Sequence, residues 1–194
     1  MDSINSLAIE KKWDKIHARN SIVQVAKILD KNRFLLPKQG KALDLACGLG
    51  ANALLLAEHR LDTHAWDISS VALKKLQLFA LKKHLNLSTK QVVIKANILP
   101  KNTFDVIIIT RFLDRSLTNE IMESLKTGGL LFYQTYVKDK IDSNGPSNPN
   151  FLLARNELLR LFQPLTLVSY RENNLIGTLE LGERNEAFYI GQKP

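Results

Sequence analysis

Two carboxylates and two glycines lie within twenty-four residues: Asp44 in the apolar run ALDLA, Gly48 and Gly50 in the bend CGLGAN, and Asp67 closing HAWD. A strand, a glycine bend and a helix start, in that order, set backbone N–H groups and the positive end of a helix beside a ligand that must come close to the main chain. Nucleotide-like cofactors meet that description. Asp67 stands seventeen residues past Gly50. On a parallel neighbouring strand its carboxylate would share a carboxyl edge with the bend, where it can accept hydrogen bonds from the two vicinal hydroxyls of a ribose.

Two cofactor classes fit such a crevice. Counted from Gly48, GLGANA matches the G-x-G-x-x-A of dinucleotide sites. Asp44 argues against that match, because it sits four residues before Gly48 inside the apolar run, where a carboxylate repels a pyrophosphate and attracts an amine. S-adenosylmethionine carries an α-ammonium and a sulfonium but no phosphate, and suits the pattern better than a nicotinamide dinucleotide. Plainer readings stand beside these: Asp44 as a turn residue, Asp67 as the cap of a helix starting SSVAL, and the glycines as close packing of helix on strand. Cys47 reads as a small filler of the bend, since no histidine is near it in sequence. His17, His59, His64 and His84 have no ligand spacing, and with one cysteine in the chain no metal site is expected.

The elements that must position these residues alternate from residue 41 onward in the manner of βαβ units on a mostly parallel sheet. Strands are predicted at 41–46, 62–66, 91–96, 104–110 and 129–136, with two late ones near 165–171 and 186–191. The run VIII within 104–110 is apolar throughout, as a strand covered on both faces requires. Ala72, Leu73, Leu76, Phe79 and Ala80 follow helical spacing, which makes an amphipathic crossover helix capped by Ser69 or Ser70. A further helix is predicted over 118–126, ending at TGG in a left-handed glycine cap, and one or two helices precede residue 41. Residues 137–150, VKDKIDSNGPSNPN, read as a long loop, either a substrate loop or a disordered one.

Composition sets the frame. With 194 residues, 45% of them hydrophobic, one core and one domain are expected. The net charge of +8 and pI near 9.6 admit a nucleic acid or another anionic partner, but no arginine-rich tract occurs and aromatics do not interleave with the lysines. The lone Cys47 suits a reducing compartment, no apolar run is long enough to span a bilayer, and the N-terminus lacks signal-peptide order. A soluble, cytoplasmic protein with no membrane partner is the expectation.

Taken together, these residues resemble a known family. LDLACGLG is similar to motif I of class I S-adenosylmethionine-dependent methyltransferases, with Ala46 in place of the first glycine; AWDIS resembles the second motif, KANILPKNTFDVIII the third and fourth, and LKTGGLLFYQTY the helix–GG–strand that follows. More narrowly, FDVIIITRFLDRSL and GPSNPNFLLARNELLRLF resemble small bacterial methyltransferases of the TehB-like, tellurite-resistance-related group. The resemblance implies an α/β fold: a Rossmann-like three-layer sandwich around a seven-stranded, mostly parallel sheet with an antiparallel last strand. It also implies S-adenosyl-L-methionine as cofactor. In that pattern Asp44 approaches the methionine amine, Ala46, Gly48 and Gly50 form the bend, Asp67 holds the ribose, and Ile68 packs on the adenine with Asn97 and Ile98 at its edge. The family often has an acid where Asn97 stands. Thr110, Arg111 and Phe112 fall where the transferred methyl group sits.

The resemblance further implies in-line methyl transfer to a small, anionic or soft nucleophilic acceptor, with Arg111, Tyr136 and Arg155 as the acting side chains and Gln134 and Asn148 near them. Arg111 is read either as the receiver of an anionic acceptor or as the partner of Asp114. An RNA methyltransferase acting on tRNA or rRNA, a protein methyltransferase and a non-catalytic cofactor-binding partner protein remain as alternatives. Oligomeric state is not set by the sequence.

Overall fold

The computed structural model describes residues 2–20 and 24–194. Seven strands, β1 (Lys41–Leu45), β2 (Asp62–Asp67), β3 (Ser88–Gln91), β4 (Phe104–Thr110), β5 (Leu125–Tyr136), β6 (Thr166–Arg171) and β7 (Glu186–Gln192), form one sheet in the order β3-β2-β1-β4-β5-β7-β6, and the chain divides into two compact units, 1–98 and 99–194.

In the first unit, α1 (Asp2–Arg19) and the short α2 (Lys27–Asp30) precede β1 (Lys41–Leu45), α3 (Ala51–Glu58), β2 (Asp62–Asp67), α4 (Ser70–Lys82) and β3 (Ser88–Gln91). β1 pairs in parallel with β2 from Lys41↔Asp62 to Leu45↔Trp66, and β2 with β3 from His64↔Ser88 to Asp67↔Gln91. Ala42 through Leu45 are all buried, which is why that run carries no alternation. α3 is apolar nearly all round and buries Ala51, Asn52, Ala53, Leu55 and Leu56. α4 starts where Ser69 accepts the Ala72 N–H, and it buries Ala72, Leu73, Leu76 and Ala80 at helical spacing.

The third strand differs from the prediction of 91–96: it occupies Ser88–Gln91, and the chain beyond it is irregular. It is the edge strand beside β2, which ends at Asp67, so after the Asp67↔Gln91 pair no register is left to extend. The apolar run that suggested a strand is not sequestered either, since Val93 is 37% exposed.

In the second unit, β4 (Phe104–Thr110), α5 (Thr118–Ser124), β5 (Leu125–Tyr136), α6 (Glu157–Leu161), β6 (Thr166–Arg171) and β7 (Glu186–Gln192) follow in order. β4 and β5 are parallel, and β7 runs antiparallel to both β5 and β6. Val106 through Ile109 have no exposed surface, and the rings of Tyr133, Phe162 and Tyr189 pack in series at 5.6 Å centroid spacing. The helix predicted over 118–126 ends at Ser124 instead, and TGG belongs to β5. Between the Phe104↔Leu125 and Val106↔Leu130 pairs the register shifts, so the glycines serve an irregularity in the strand rather than a helix cap.

Candidate functional site

In the first unit β1, the bend and the end of β2 bring the predicted residues together. Asp44 is fully buried on β1, its Oδ2 accepting the Ala53 N–H of α3 at 3.0 Å. Its Oδ1 is buried with no hydrogen-bond partner. Burial pushes the carboxyl up to about 7; the Ala53 N–H and the Asn52 amide oppose that shift and the like charge of Asp67 adds to it. The bend that follows is left-handed at three alternate positions: Ala46 (φ 59°), Gly48 (φ 52°) and Gly50 (φ 78°). Ala46 therefore adopts, with a side chain, the conformation that glycine takes without strain.

Asp67 is 6% exposed and spans the bend: Oδ2 accepts the Gly48 N–H at 2.7 Å and Oδ1 the Ser69 N–H at 2.8 Å. The helix cap itself is Ser69, so Asp67 ties the bend to the start of α4 rather than capping it. Cys47 fills the bend as expected, and burial pushes its thiol up, away from nucleophilic use. Ile68 is half-buried after β2, Asn97 is exposed in a left-handed turn (φ 65°), and Ile98 is half-buried next to it. Among the described residues no group of three or more His, Cys, Asp or Glu side chains is placed to hold a metal ion. Among the described residues no helix is long and apolar enough to cross a membrane.

A separate polar cluster lies in the second unit. Arg111, just past β4, has a left-handed backbone (φ 55°), its N–H donating to the Gln134 carbonyl at 2.8 Å. Its Nε donates to Glu186 Oε1 at 2.7 Å, the Gln134 amide donates to Glu186 Oε2, and the guanidinium stands 5.8 Å from the Tyr136 ring centroid. Neither sequence reading of Arg111 named this partner: Asp114 instead accepts from Ser116 and starts a 3-10 turn. Burial raises the Tyr136 hydroxyl's pKa, with Arg111 opposing and Glu186 reinforcing. Thr110 ends β4, and half-buried Phe112 accepts the Tyr133 hydroxyl at its carbonyl.

Arg155 is elsewhere engaged, donating to Asp139 at 2.7 Å with 70% of its side chain exposed, and Asn148 caps the turn at Pro149–Phe151. Residues 137–150 are held by bonds within the loop and by Asn185, whose Oδ1 accepts the Ile141 N–H at 2.9 Å and whose amide donates to Asp142 at 2.6 Å. Lys140 donates to the Asn144 and Pro146 carbonyls, and a Cβ added at Gly145 would meet the Tyr136 ring at 2.5 Å. Glu186 is the member of this cluster that sequence reasoning missed. It lies seventy-five residues from Arg111 and opens a strand of ordinary composition, so nothing local marks it.

Residues 6–187 match the family described as Tellurite resistance protein TehB, and the chain belongs to that family. A curated relative, "Probable S-adenosyl-L-methionine-dependent methyltransferase TehB" of Haemophilus influenzae, is 28% identical over 183 residues, covering 90% of this chain and 59% of the relative. The chain thus spans somewhat over half of that protein's length. The crystal structure of TehB from Haemophilus influenzae superposes with a TM-score of 0.71 at 27% identity, covering 95% of this chain and 67% of that one. A methyltransferase from Aquifex aeolicus, at 14% identity and a TM-score of 0.67 over 95% of this chain and 98% of its own, shares the fold. The architecture is therefore the Rossmann-like α/β fold of these proteins, with a seven-stranded mixed sheet.

Proposed function

We propose that residues 1–194 act as a single S-adenosylmethionine-dependent methyltransferase domain, with the cofactor lying against the bend between β1 and α3. The buried, unpartnered Oδ1 of Asp44 carries this reading. An orphaned buried acceptor costs about 1–3 kcal/mol, and an ammonium group answers it with both a donor and a charge, whereas a pyrophosphate does neither. Each Asp67 oxygen already holding one N–H keeps a further lone pair for a ribose hydroxyl. Following the family pattern, Ala46, Gly48 and Gly50 border the cofactor, Ile68 packs on its adenine, Asn97 and Ile98 flank the adenine edge, and Thr110 and Phe112 adjoin the methyl group. When bound, the cofactor supplies a methyl group already activated by positive sulfur. The chain's part is alignment and the exclusion of water.

The acceptor supported best is a small, soft nucleophile oriented by Arg111 and Tyr136. Arg111 faces Glu186 and Arg155 faces Asp139, so each guanidinium is already compensated, which favours a singly charged or neutral nucleophile over a multiply charged anion. Arg155 reaches an acceptor only by exchanging its carboxylate. Calorimetry tests the cofactor: S-adenosylmethionine and its demethylated product bind, NADH does not, and Asp67→Ala weakens binding about tenfold or more. Equal affinity in that variant removes Asp67 from the site. A labelled-methyl screen of small thiols, selenite, tellurite, tRNA and rRNA tests the acceptor, and label in RNA alone overturns the small-molecule reading.

A further inference from the structure

We infer that Arg171 anchors a carboxylate on the acceptor, so that the second unit takes a small thiol acid and holds its two ends on one face of the sheet. This rests on the acceptor reading above and adds to it the handle by which the acceptor is chosen.

Strand register places the residues. Thr110 pairs with Gln134, Gln134 with Phe188 and Phe188 with Arg171, so one row crosses β4, β5, β7 and β6, and residues directly opposite in a ladder share a face. Glu186, two residues before Phe188, and Tyr136, its partner in the register, lie on that same face. Tyr133 and Tyr189 take the opposite face, against Phe162. The row stands at the carboxyl ends of β4 and β5, the edge at which open α/β sheets take ligands.

Arg171 is the member of this row left unsatisfied. Its guanidinium lies over the Phe188 ring, 4.5 Å from the centroid, a contact that restrains the plane of its donors. Its Nε is buried without a hydrogen-bond partner. Among the described arginines of this unit it alone donates no hydrogen bond: Arg111, Arg115 and Arg155 each donate to a carboxylate, and Arg160 and Arg184 to main-chain carbonyls. Neither nearby acid compensates it. Glu186 is taken up by Arg111 and Gln134, and Glu172 by Tyr170, the Asn156 N–H and Asn174. A guanidinium with an open Nε–Nη edge binds a planar carboxylate side-on, donating two parallel hydrogen bonds, which answers both the charge and the orphaned donor. Because the guanidinium leans over β7, one strand spacing of about 5 Å separates it from Gln134 on β5, so a molecule a few bonds long reaches from Arg171 to the cluster around Arg111. One uncompensated cation matches one carboxylate, and the nucleophile at the other end is left uncharged or soft. Methyl transfer to such a thiol acid yields the S-methyl acid, the demethylated cofactor and one proton, and the carboxylate is unchanged.

Two measurements on the intact chain use β-mercaptopropionate and its uncharged methyl ester. The first needs no cofactor: the Arg171 Nε–H resonance of isotope-labelled protein, identified as the cross-peak lost in Arg171→Lys, is expected to move downfield and saturate with the acid, while the ester needs about tenfold more or leaves it in place. The second is labelled-methyl transfer. The wild type is expected to prefer acid to ester about tenfold or more in kcat/KM, chiefly through KM, and in Arg171→Met that preference falls below about threefold; Arg171→Lys keeps the charge without the planar fork and falls between. An unmoved Arg171 resonance, an acid preference that persists in Arg171→Met, or a chain that binds S-adenosylmethionine yet methylates acid and ester alike or neither, overturns the inference alone. A wild-type chain that binds neither cofactor form overturns the cofactor reading, and the resonance titration then decides the carboxylate site by itself.

Discussion

Asp44 keeps a carboxyl fully buried at a cost in stability. Its folded-state pKa of about 7 lies above the 3.8 of an unfolded chain, so the native protein binds this proton more tightly than the unfolded one does. Stability is therefore highest at low pH, declines between pH 4 and 7, and is flat above 7 as far as this group is concerned. Asp44→Asn keeps a carbonyl for the Ala53 N–H and removes the buried charge. At pH 8 the variant is expected to be more stable by up to about 4 kcal/mol, with its melting point raised about 2–4 °C per kcal/mol, and the gap should close near pH 4. The same variant should bind S-adenosylmethionine about tenfold more weakly or worse, since a charge-assisted bond becomes a neutral one. In the wild type, cofactor affinity should fall below pH 7 and binding should release a proton, read from the buffer dependence of the calorimetric enthalpy. A variant no more stable at pH 8 than at pH 4, relative to wild type, refutes the charged state assigned to Asp44. Asp44, Asp67 and the glycines were legible because strand, bend and helix are contiguous in the chain. Glu186 and His17 were not, because Arg111–Glu186 spans seventy-five residues and His17 meets Gly48 from a helix that precedes the motif.

Among elements, the bend shows how far a glycine pattern can be trusted. Gly50 begins α3 at φ 78°, and a Cβ there would stand 2.5 Å from both methyl carbons of Leu76, which is fully buried. Gly50→Ala must accept both a left-handed alanine and an overpacked core, about 2–4 kcal/mol together. Gly128 has the same φ but nothing within 4 Å of its would-be Cβ, so Gly128→Ala carries the backbone cost alone, about 1–2 kcal/mol. Urea midpoints of the two variants separate the contributions, and equal losses would show that Leu76 gives way freely. Strand existence was legible wherever apolar runs were buried on both sides, as at 42–45 and 106–109. Boundaries failed where pairing decided them: β3 stops at Gln91 because β2 stops at Asp67, and TGG enters β5 because Leu125 pairs with Phe104. Such limits belong to the neighbouring strand and leave no trace in the strand's own letters.

At the scale of the molecule, the net charge of +8 is the property a sequence states most plainly and locates least well. In the first unit Lys83 pairs with Glu58, Lys41 with Asp62, and Lys75 with the carbonyls of His17, Ala18 and Asn20. In the second, Lys101, Lys126, Arg111, Arg115 and Arg155 each face a carboxylate. Nucleic-acid readers gather cations on one strip and gain affinity from counterion release, which makes that affinity steeply dependent on salt. Cations held by these carboxylates are compensated and add little to such a strip, whereas buried Asp44 and Asp67 are screened little by salt. Raising salt from 50 to 300 mM should therefore change S-adenosylmethionine affinity less than about threefold, while any tRNA binding, about micromolar or weaker at physiological salt, should drop by about a hundredfold or more. Parallel titrations of cofactor and total tRNA at both salt concentrations measure this. Sub-micromolar tRNA binding that survives 300 mM salt would mean that cations converge on a phosphate track, and would make RNA the first acceptor to test by label transfer.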